Sequence, residues 1–84
     1  MDHDSKVLLK KILRDNSYSL TEPRQLIIET LWDKEPQTTN ELATELRSKI
    51  DRASMYRNLA LFEKLGLIQR VYIGWKYKIE LSDV

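Results

Sequence analysis

The chain has 84 residues, of which 42% are hydrophobic and 32% charged, and its formal net charge is +1. This length predicts one domain over residues 1–84 with a self-supporting core, and the absence of cysteine excludes disulfides and thiolate metal sites. No apolar run is long enough to cross a membrane, and the acidic start from Met1 to Asp4 does not resemble a signal peptide, so we expect a cytoplasmic protein.

Charges are distributed unevenly along the chain. Between Arg52 and Lys78 there are six basic residues against one acid, Glu63, whereas residues 15–50 carry four basic and seven acidic groups. A basic end fits a polyanionic partner, although charged faces of this kind are usually only solvated.

Helical spacing of apolar residues predicts two helices in the first part of the chain. The first runs from a cap at Ser5 to about Asp15. The second runs from a cap at Thr21, with Pro23 in its first turn, to about Trp32. The side chains expected to be buried are Leu8, Leu9, Ile12 and Leu13 in the first helix and Ile27, Ile28, Leu31 and Trp32 in the second.

A third and a fourth helix are separated by only a few residues. Thr38 and Glu41 have the spacing of a capping box and begin a helix that reaches about Ser48. Asp51 caps the next helix, which ends before Gly66. Such a short connection is typical of a helix-turn-helix.

The fourth helix has two different faces. Its apolar side is formed by Met55, Leu59 and Phe62, and the opposite side is small, polar and basic, with Ala53, Ser54, Arg57 and Lys64. This outward face suits a DNA groove, although an ordinary amphipathic surface helix has the same pattern.

After Gly66 the apolar pattern changes from helical to alternating. Residues 67–72 and 76–81 predict two strands joined by a turn at residues 73–75. The fold class is therefore mostly α with a small antiparallel β-hairpin, a winged helix-turn-helix whose wing is about 67–81. We expect Trp75 to anchor the wing, with base stacking as the alternative, and Lys76 to lie near the tip within reach of a phosphate.

Four segments together resemble a known family. They are Leu20-Thr21-Glu22-Pro23-Arg24, Thr39-Asn40-Glu41-Leu42, Ala53-Ser54-Met55-Tyr56-Arg57-Asn58-Leu59 and Phe62-Glu63-Lys64-Leu65-Gly66-Leu67-Ile68. In this order they are similar to the amino-terminal domain of ferric-uptake-regulator-type repressors. The resemblance covers most of the chain, and it depends on the combination rather than on any one segment.

The resemblance implies a winged-helix transcription factor whose fourth helix enters the major groove. By position, Tyr56 would contact bases, Arg57 bases or backbone, and Arg24 a phosphate, while half-buried packing is the alternative for Tyr56. The other expected DNA-binding residues are Arg52, Ser54 and Lys76. For Ser54, a structural role in the first turn of the helix is the alternative. Leu61, close to Arg57 around the helix, either packs under the wing or marks a protein interface.

The sequence departs from the family pattern at two places. Many members carry a lysine that reaches the minor groove where this chain has Ser19, and full-length members continue into a metal-sensing and dimerisation domain. This sequence ends at Val84 with one histidine and no cysteine, as expected of a fragment or of a stand-alone relative. We expect no cofactor and no metal site, because His3, with Asp2 and Asp4, lacks a rigid scaffold.

The expected function is sequence-specific binding of double-stranded DNA by a transcriptional regulator, a repressor by resemblance, that forms a homodimer on DNA. No catalytic residue is predicted, because no nucleophile elbow or phosphate-binding glycine loop is present. We also expect no membrane contact and no small-molecule substrate. The alternative is a winged-helix protein–protein interaction module in a transcription assembly, which the low net charge and the acidic middle favour.

Overall fold

The computed structural model describes residues 3–32 and 34–82. Four helices precede a two-stranded antiparallel hairpin, as predicted. In chain order the elements are α1 (His3–Asp15), α2 (Glu22–Leu31), α3 (Thr39–Leu46), α4 (Arg52–Lys64), β1 (Ile68–Ile73) and β2 (Lys76–Leu81). Among the described residues no helix is both long and apolar enough to cross a membrane.

The ends of α3 and α4 follow the predicted capping chemistry. Thr38 Oγ1 accepts a hydrogen bond from the Glu41 amide at 3.0 Å, and an Asp51 carboxylate oxygen accepts one from the Ser54 amide at 2.7 Å. Gly66 ends α4 with a φ of +76°, a conformation in which a side chain would cost energy. These caps fix where the helix-turn-helix begins and ends.

Two predicted helix boundaries are wrong, and a third boundary is right although its predicted capping bond is missing. Ser5 is not a cap, because His3 and Asp4 before it are already helical. Thr21 occupies the N-cap position of α2 but makes no side-chain capping bond. Helix α3 ends at Leu46 rather than near Ser48, and the amides of Lys49 and Ile50 in the turn that follows both donate to the Leu46 carbonyl.

The core lies where α2, α3, α4 and the base of the hairpin meet. Ile27 and Ile28 of α2 are fully buried, as is Phe62 of α4. The predicted burial of Leu8 is wrong, since it is 42% exposed. Helix α1 contacts the core mainly through Leu9 and Leu13, one turn apart, so only a narrow stripe of this helix is covered.

The hairpin is held at its base and projects at its tip. Tyr72 pairs with Tyr77 across the strands, and Gly74, at φ +65°, helps form the two-residue turn. At the base, the backbone of Ile79 exchanges two hydrogen bonds with Gln37, which precedes α3, at 2.7 and 2.9 Å. Trp75 in the turn is 87% exposed, so the prediction that it anchors the wing is wrong: the tip lies beyond reach of the core.

Candidate nucleic-acid interface

Helix α4 presents a basic, uncrowded face to solvent. Met55, Leu59 and Phe62 are buried on the inner side, while Ala53 and Arg57 are exposed on the outer side. Within residues 3–32 and 34–82, the carboxylates in ion pairs are Glu45 with Lys34 and Glu63 with Arg70. The Arg57 guanidinium is therefore available to an external anion.

A groove separates the outer face of α4 from the start of α2. We call it the arginine groove; it has a volume of about 500 Å³, and the polar side chains lining it are Tyr18, Thr21, Arg24, Ser54, Arg57 and Asn58. It brings together three residues predicted from sequence to contact DNA, Arg24, Ser54 and Arg57. Leu61 lines the same groove, so it does not pack under the wing.

Arg24 connects α2 to α4. Its Nε donates to Asn58 Oδ1 at 3.0 Å, its Nη1 donates to the Ser19 carbonyl at 2.8 Å, and its guanidinium carbon lies 5.3 Å from the centre of the Tyr18 ring. Asn58 in turn donates to the Ser54 carbonyl at 3.0 Å. The guanidinium is thus fixed in orientation, and its Nη2 group makes no hydrogen bond to a described residue.

Sequence analysis did not identify Asn58 as part of this site. Asn58 and Arg24 are 34 positions apart, and the contact depends on how α2 packs across α4. A polar residue one turn after Ser54 was the only available signal, and an exposed asparagine on a helix gives the same signal. The structural role of Arg24 was missed for the same reason.

Tyr56 lies on the opposite side of α4 from the arginine groove. It is 39% exposed and lines a smaller groove, of about 180 Å³, between α4 and the hairpin, together with Arg70 and Tyr77. Arg52 is exposed at the start of α4 and lines a third depression with Arg47. The predicted site residues are therefore spread along the outer side of the helix-turn-helix and do not share one pocket.

An ion pair joins the end of α4 to the hairpin. Arg70 Nε lies 2.9 Å from one Glu63 oxygen, and its Nη2 donates to the other at 3.3 Å, while its guanidinium carbon is 4.5 Å from the centre of the Tyr77 ring. The neighbouring Tyr72 side chain and the Glu63 carboxylate raise the pKa of Arg70 above its ordinary value. The Arg70 guanidinium is therefore engaged within the protein.

Trp75 and Lys76 form the tip of the hairpin. The Lys76 ammonium nitrogen lies 5.0 Å from the centre of the Trp75 ring, a distance typical of a cation–π contact. No carboxylate of a described residue forms an ion pair with Lys76. The tip is thus both aromatic and basic.

Clustered metal-binding side chains are absent from residues 3–32 and 34–82. These residues contain no group of three histidine, cysteine, aspartate or glutamate side chains able to hold an ion. Asp2, named above with His3 and Asp4, lies outside the described residues.

Comparisons with known proteins identify the winged-helix architecture. A model of the ferric uptake regulator family matches residues 15–82. The ferric uptake regulator of Vibrio cholerae is 28% identical with a TM-score of 0.72, and the match covers 88% of this chain and 61% of that one. For the Pseudomonas aeruginosa regulator, solved with manganese, the identity is 25%, the TM-score 0.70, and the coverage 99% and 62%.

A third solved structure agrees in fold. PerR from Streptococcus pyogenes, described in terms of peroxide sensing and gene regulation, has a TM-score of 0.75 at 21% identity, and the match covers 96% of this chain and 58% of that one. No curated protein sequence matches the chain. This chain therefore spans about three fifths of these solved relatives, in which the matching part is a winged helix.

Proposed function

Because the chain belongs to the ferric uptake regulator family, with the family model matching residues 15–82, we propose that it binds double-stranded DNA sequence-specifically and represses transcription. The observation that carries the proposal is the outer face of α4, where exposed Arg57 has no acidic partner among the described residues and borders the arginine groove.

Helix α4 is suited to the major groove by size and by composition. An α-helix with its side chains is about as wide as that groove, and the small exposed residues Ala53 and Ala60 permit close approach. Arg57 then reaches base edges, where a guanidinium can form two hydrogen bonds with a guanine. Tyr56, on the hairpin side of the helix, would contact a thymine methyl group or the backbone.

The arginine groove provides a position for a backbone phosphate. Arg24 is already oriented by Asn58 and the Ser19 carbonyl, so its free Nη2 group can bind a phosphate oxygen without first losing side-chain freedom. The Ser54 hydroxyl lies at the same groove. Such phosphate contacts fix the register of the helix but carry no sequence information.

The low charge of the chain favours binding as a homodimer on DNA. A net charge of +1 and a small number of phosphate contacts give one copy little electrostatic affinity. Two copies on adjacent half-sites would double the contacts and would read a pseudo-palindromic operator. We expect this binding to need no cofactor held by the residues described here.

Selection of duplexes from a random library, followed by anisotropy titrations at several salt concentrations, tests this proposal. We expect Arg57→Ala to weaken binding and to relax the preference for the selected site by roughly 10-fold, the loss of one good base contact. Lys76→Ala should weaken all duplexes alike and reduce the salt dependence by about one phosphate. Lys34→Ala is the matched control, because Glu45 already balances its charge.

The same titrations separate DNA binding from the alternative function. A winged helix that serves only as a protein-interaction module predicts no binding to any duplex even at low salt. Its support here is the exposed apolar surface on the hairpin. Unchanged affinity and selectivity of Arg57→Ala on the selected site would refute the assignment of α4 as the recognition helix.

A further inference from the structure

The outer edge of strand β1 has no partner strand among the described residues. In the hairpin, Ile73 pairs with Lys76 across the two-residue turn, so the backbone groups of every second residue from Ile73 backwards point towards β2. Those of Arg70 and Tyr72 point the opposite way, and they form no backbone hydrogen bond with a described residue outside the hairpin. Strand β1 therefore presents an open row of amide donors and carbonyl acceptors.

This edge lacks the features with which proteins usually protect an unpaired strand. Lysines, proline, a bulge or a covering segment normally serve that purpose. Strand β2 has such protection, because it carries Lys76 and Lys78 and its base is bonded to Gln37. Strand β1 contains neither lysine nor proline and pairs with β2 without a bulge. Its one charged side chain, Arg70, is drawn onto Glu63 at 2.9 Å.

The position of Arg70 decides how a second copy of β1 would pair with the first. A twofold axis at Arg70 would place two guanidinium groups opposite each other, which is unfavourable. An axis at Val71 instead places Arg70 opposite Tyr72 of the second copy, a cation beside an aromatic ring, and Val71 opposite its own copy. In this register the outward backbone groups of Arg70 and Tyr72 bond to each other across the axis. The edge is thus complementary to itself.

We propose that the chain associates with a second copy of itself through the outer edges of β1, which joins the two hairpins into one four-stranded antiparallel sheet centred on Val71. The pairing would cover Tyr72 and Ile73, which are 63% and 60% exposed. Because the contact is confined to the hairpins, we expect a weak dimer with a Kd on the order of 100 µM. The inference goes beyond the proposed function and does not depend on DNA binding.

Cysteine cross-linking tests the register. The chain has no cysteine, so an introduced thiol reports only on its own position. Val71→Cys would face its copy in a pair without hydrogen bonds, with Cα atoms about 4.5 Å apart, a separation that a disulfide can span. Gln69→Cys, on the same face of β1, is the matched control, because its copy would lie about 13 Å away along the sheet. Under a mild oxidant, we expect Val71→Cys to form disulfide-linked dimers roughly 10-fold faster than Gln69→Cys.

Sedimentation velocity of the 84-residue chain without DNA measures the association itself. Val71→Glu would place two carboxylates at the axis and should weaken the dimer roughly 10-fold. The monomer should stay folded, because Lys78 pairs with position 71 in the same hairpin. Val7→Glu makes the same change at an exposed position of α1 and should leave association unchanged.

Three results would overturn the inference. The first is a wild-type chain that stays monomeric at about 1 mM, well above the expected Kd. The second is equal cross-linking of Val71→Cys and Gln69→Cys, which would indicate random collision or another register. The third is a dimer that is weakened by Val7→Glu and not by Val71→Glu, which would place the contact on α1. A failure to bind duplex DNA would leave all of these measurements unchanged, so the two proposals fail separately.

Discussion

The contact between Arg24 and Asn58 links the stability of the fold to the affinity of the proposed site. Asn58→Ala removes a partly buried hydrogen bond to a charged group, worth about 1.5 kcal/mol after allowance for partial exposure. Alanine recovers ~0.6 kcal/mol of helix propensity. The net loss is therefore about 1 kcal/mol, or roughly 4–8 °C in Tm for a domain of this size.

The same substitution should weaken DNA binding by an independent route. Without Asn58 the Arg24 side chain regains rotamers that it must lose again on a phosphate, at a cost of about 1 kcal/mol, since Ser19 and Tyr18 still restrict it. This corresponds to a roughly 5-fold higher Kd. Urea unfolding followed by tryptophan emission measures the first effect, and anisotropy of a labelled duplex measures the second.

Two comparisons make this prediction refutable. Asn40→Ala, at an exposed position of α3, changes helix propensity without breaking a contact to Arg24 and should leave DNA affinity unchanged. In an Arg24→Ala background, Asn58→Ala should have no further effect on affinity, because the two residues act through one guanidinium. Fully additive losses in the double variant would refute the positioning role of Asn58.

Further predictions concern the loop after α1, the cap of α4 and the link to the wing. Ser17 has a φ of +67°, so Ser17→Gly should raise the free energy of unfolding by about 0.5–1 kcal/mol, measured by urea unfolding. Asp51→Ala should cost about 1 kcal/mol, whereas Asp51→Asn should retain most of the stability because it keeps a capping oxygen. Glu63→Gln should break the ion pair with Arg70, loosen the wing and weaken DNA binding by roughly 3-fold. Removal of a negative charge alone would instead strengthen DNA binding. Glu45→Gln, which removes the same charge from another ion pair, is the control.

Local chemistry made much of the fold predictable. Thr38 with Glu41, and Asp51 with Ser54, satisfy helix amides through side chains only three positions away, so their pattern is visible in the sequence. The alternation of apolar and polar residues after Gly66 likewise predicts a hairpin, because the pattern involves only residues that are close in the sequence. The family resemblance, confirmed by the family model, added the relation between these elements.

Two of the incorrect expectations, for Leu8 and Trp75, concern burial by distant parts of the chain. Leu8 lies one turn from Ile12, as Leu9 lies one turn from Leu13, so the local spacing is the same for both pairs. Only the position of α1 on the core leaves Leu8 exposed and buries Leu13. Trp75 is exposed because the hairpin extends beyond the helices, which no local pattern reveals. The DNA-contacting roles of Arg24, Tyr56 and Arg57 remain predictions, since they depend on a partner outside the chain.

The backbone bonds between Gln37 and Ile79 have a consequence for the motion of the wing. They give β2 a partner on both edges at its base, whereas the turn at Gly74 has only the other strand. In amide hydrogen exchange, we therefore expect the Ile79 amide to exchange as slowly as the core helices and the tip amides to exchange many times faster through local opening. The base of the wing would then stay fixed while its turn moves, so the turn could adjust to the width of a DNA groove without a shift of α4.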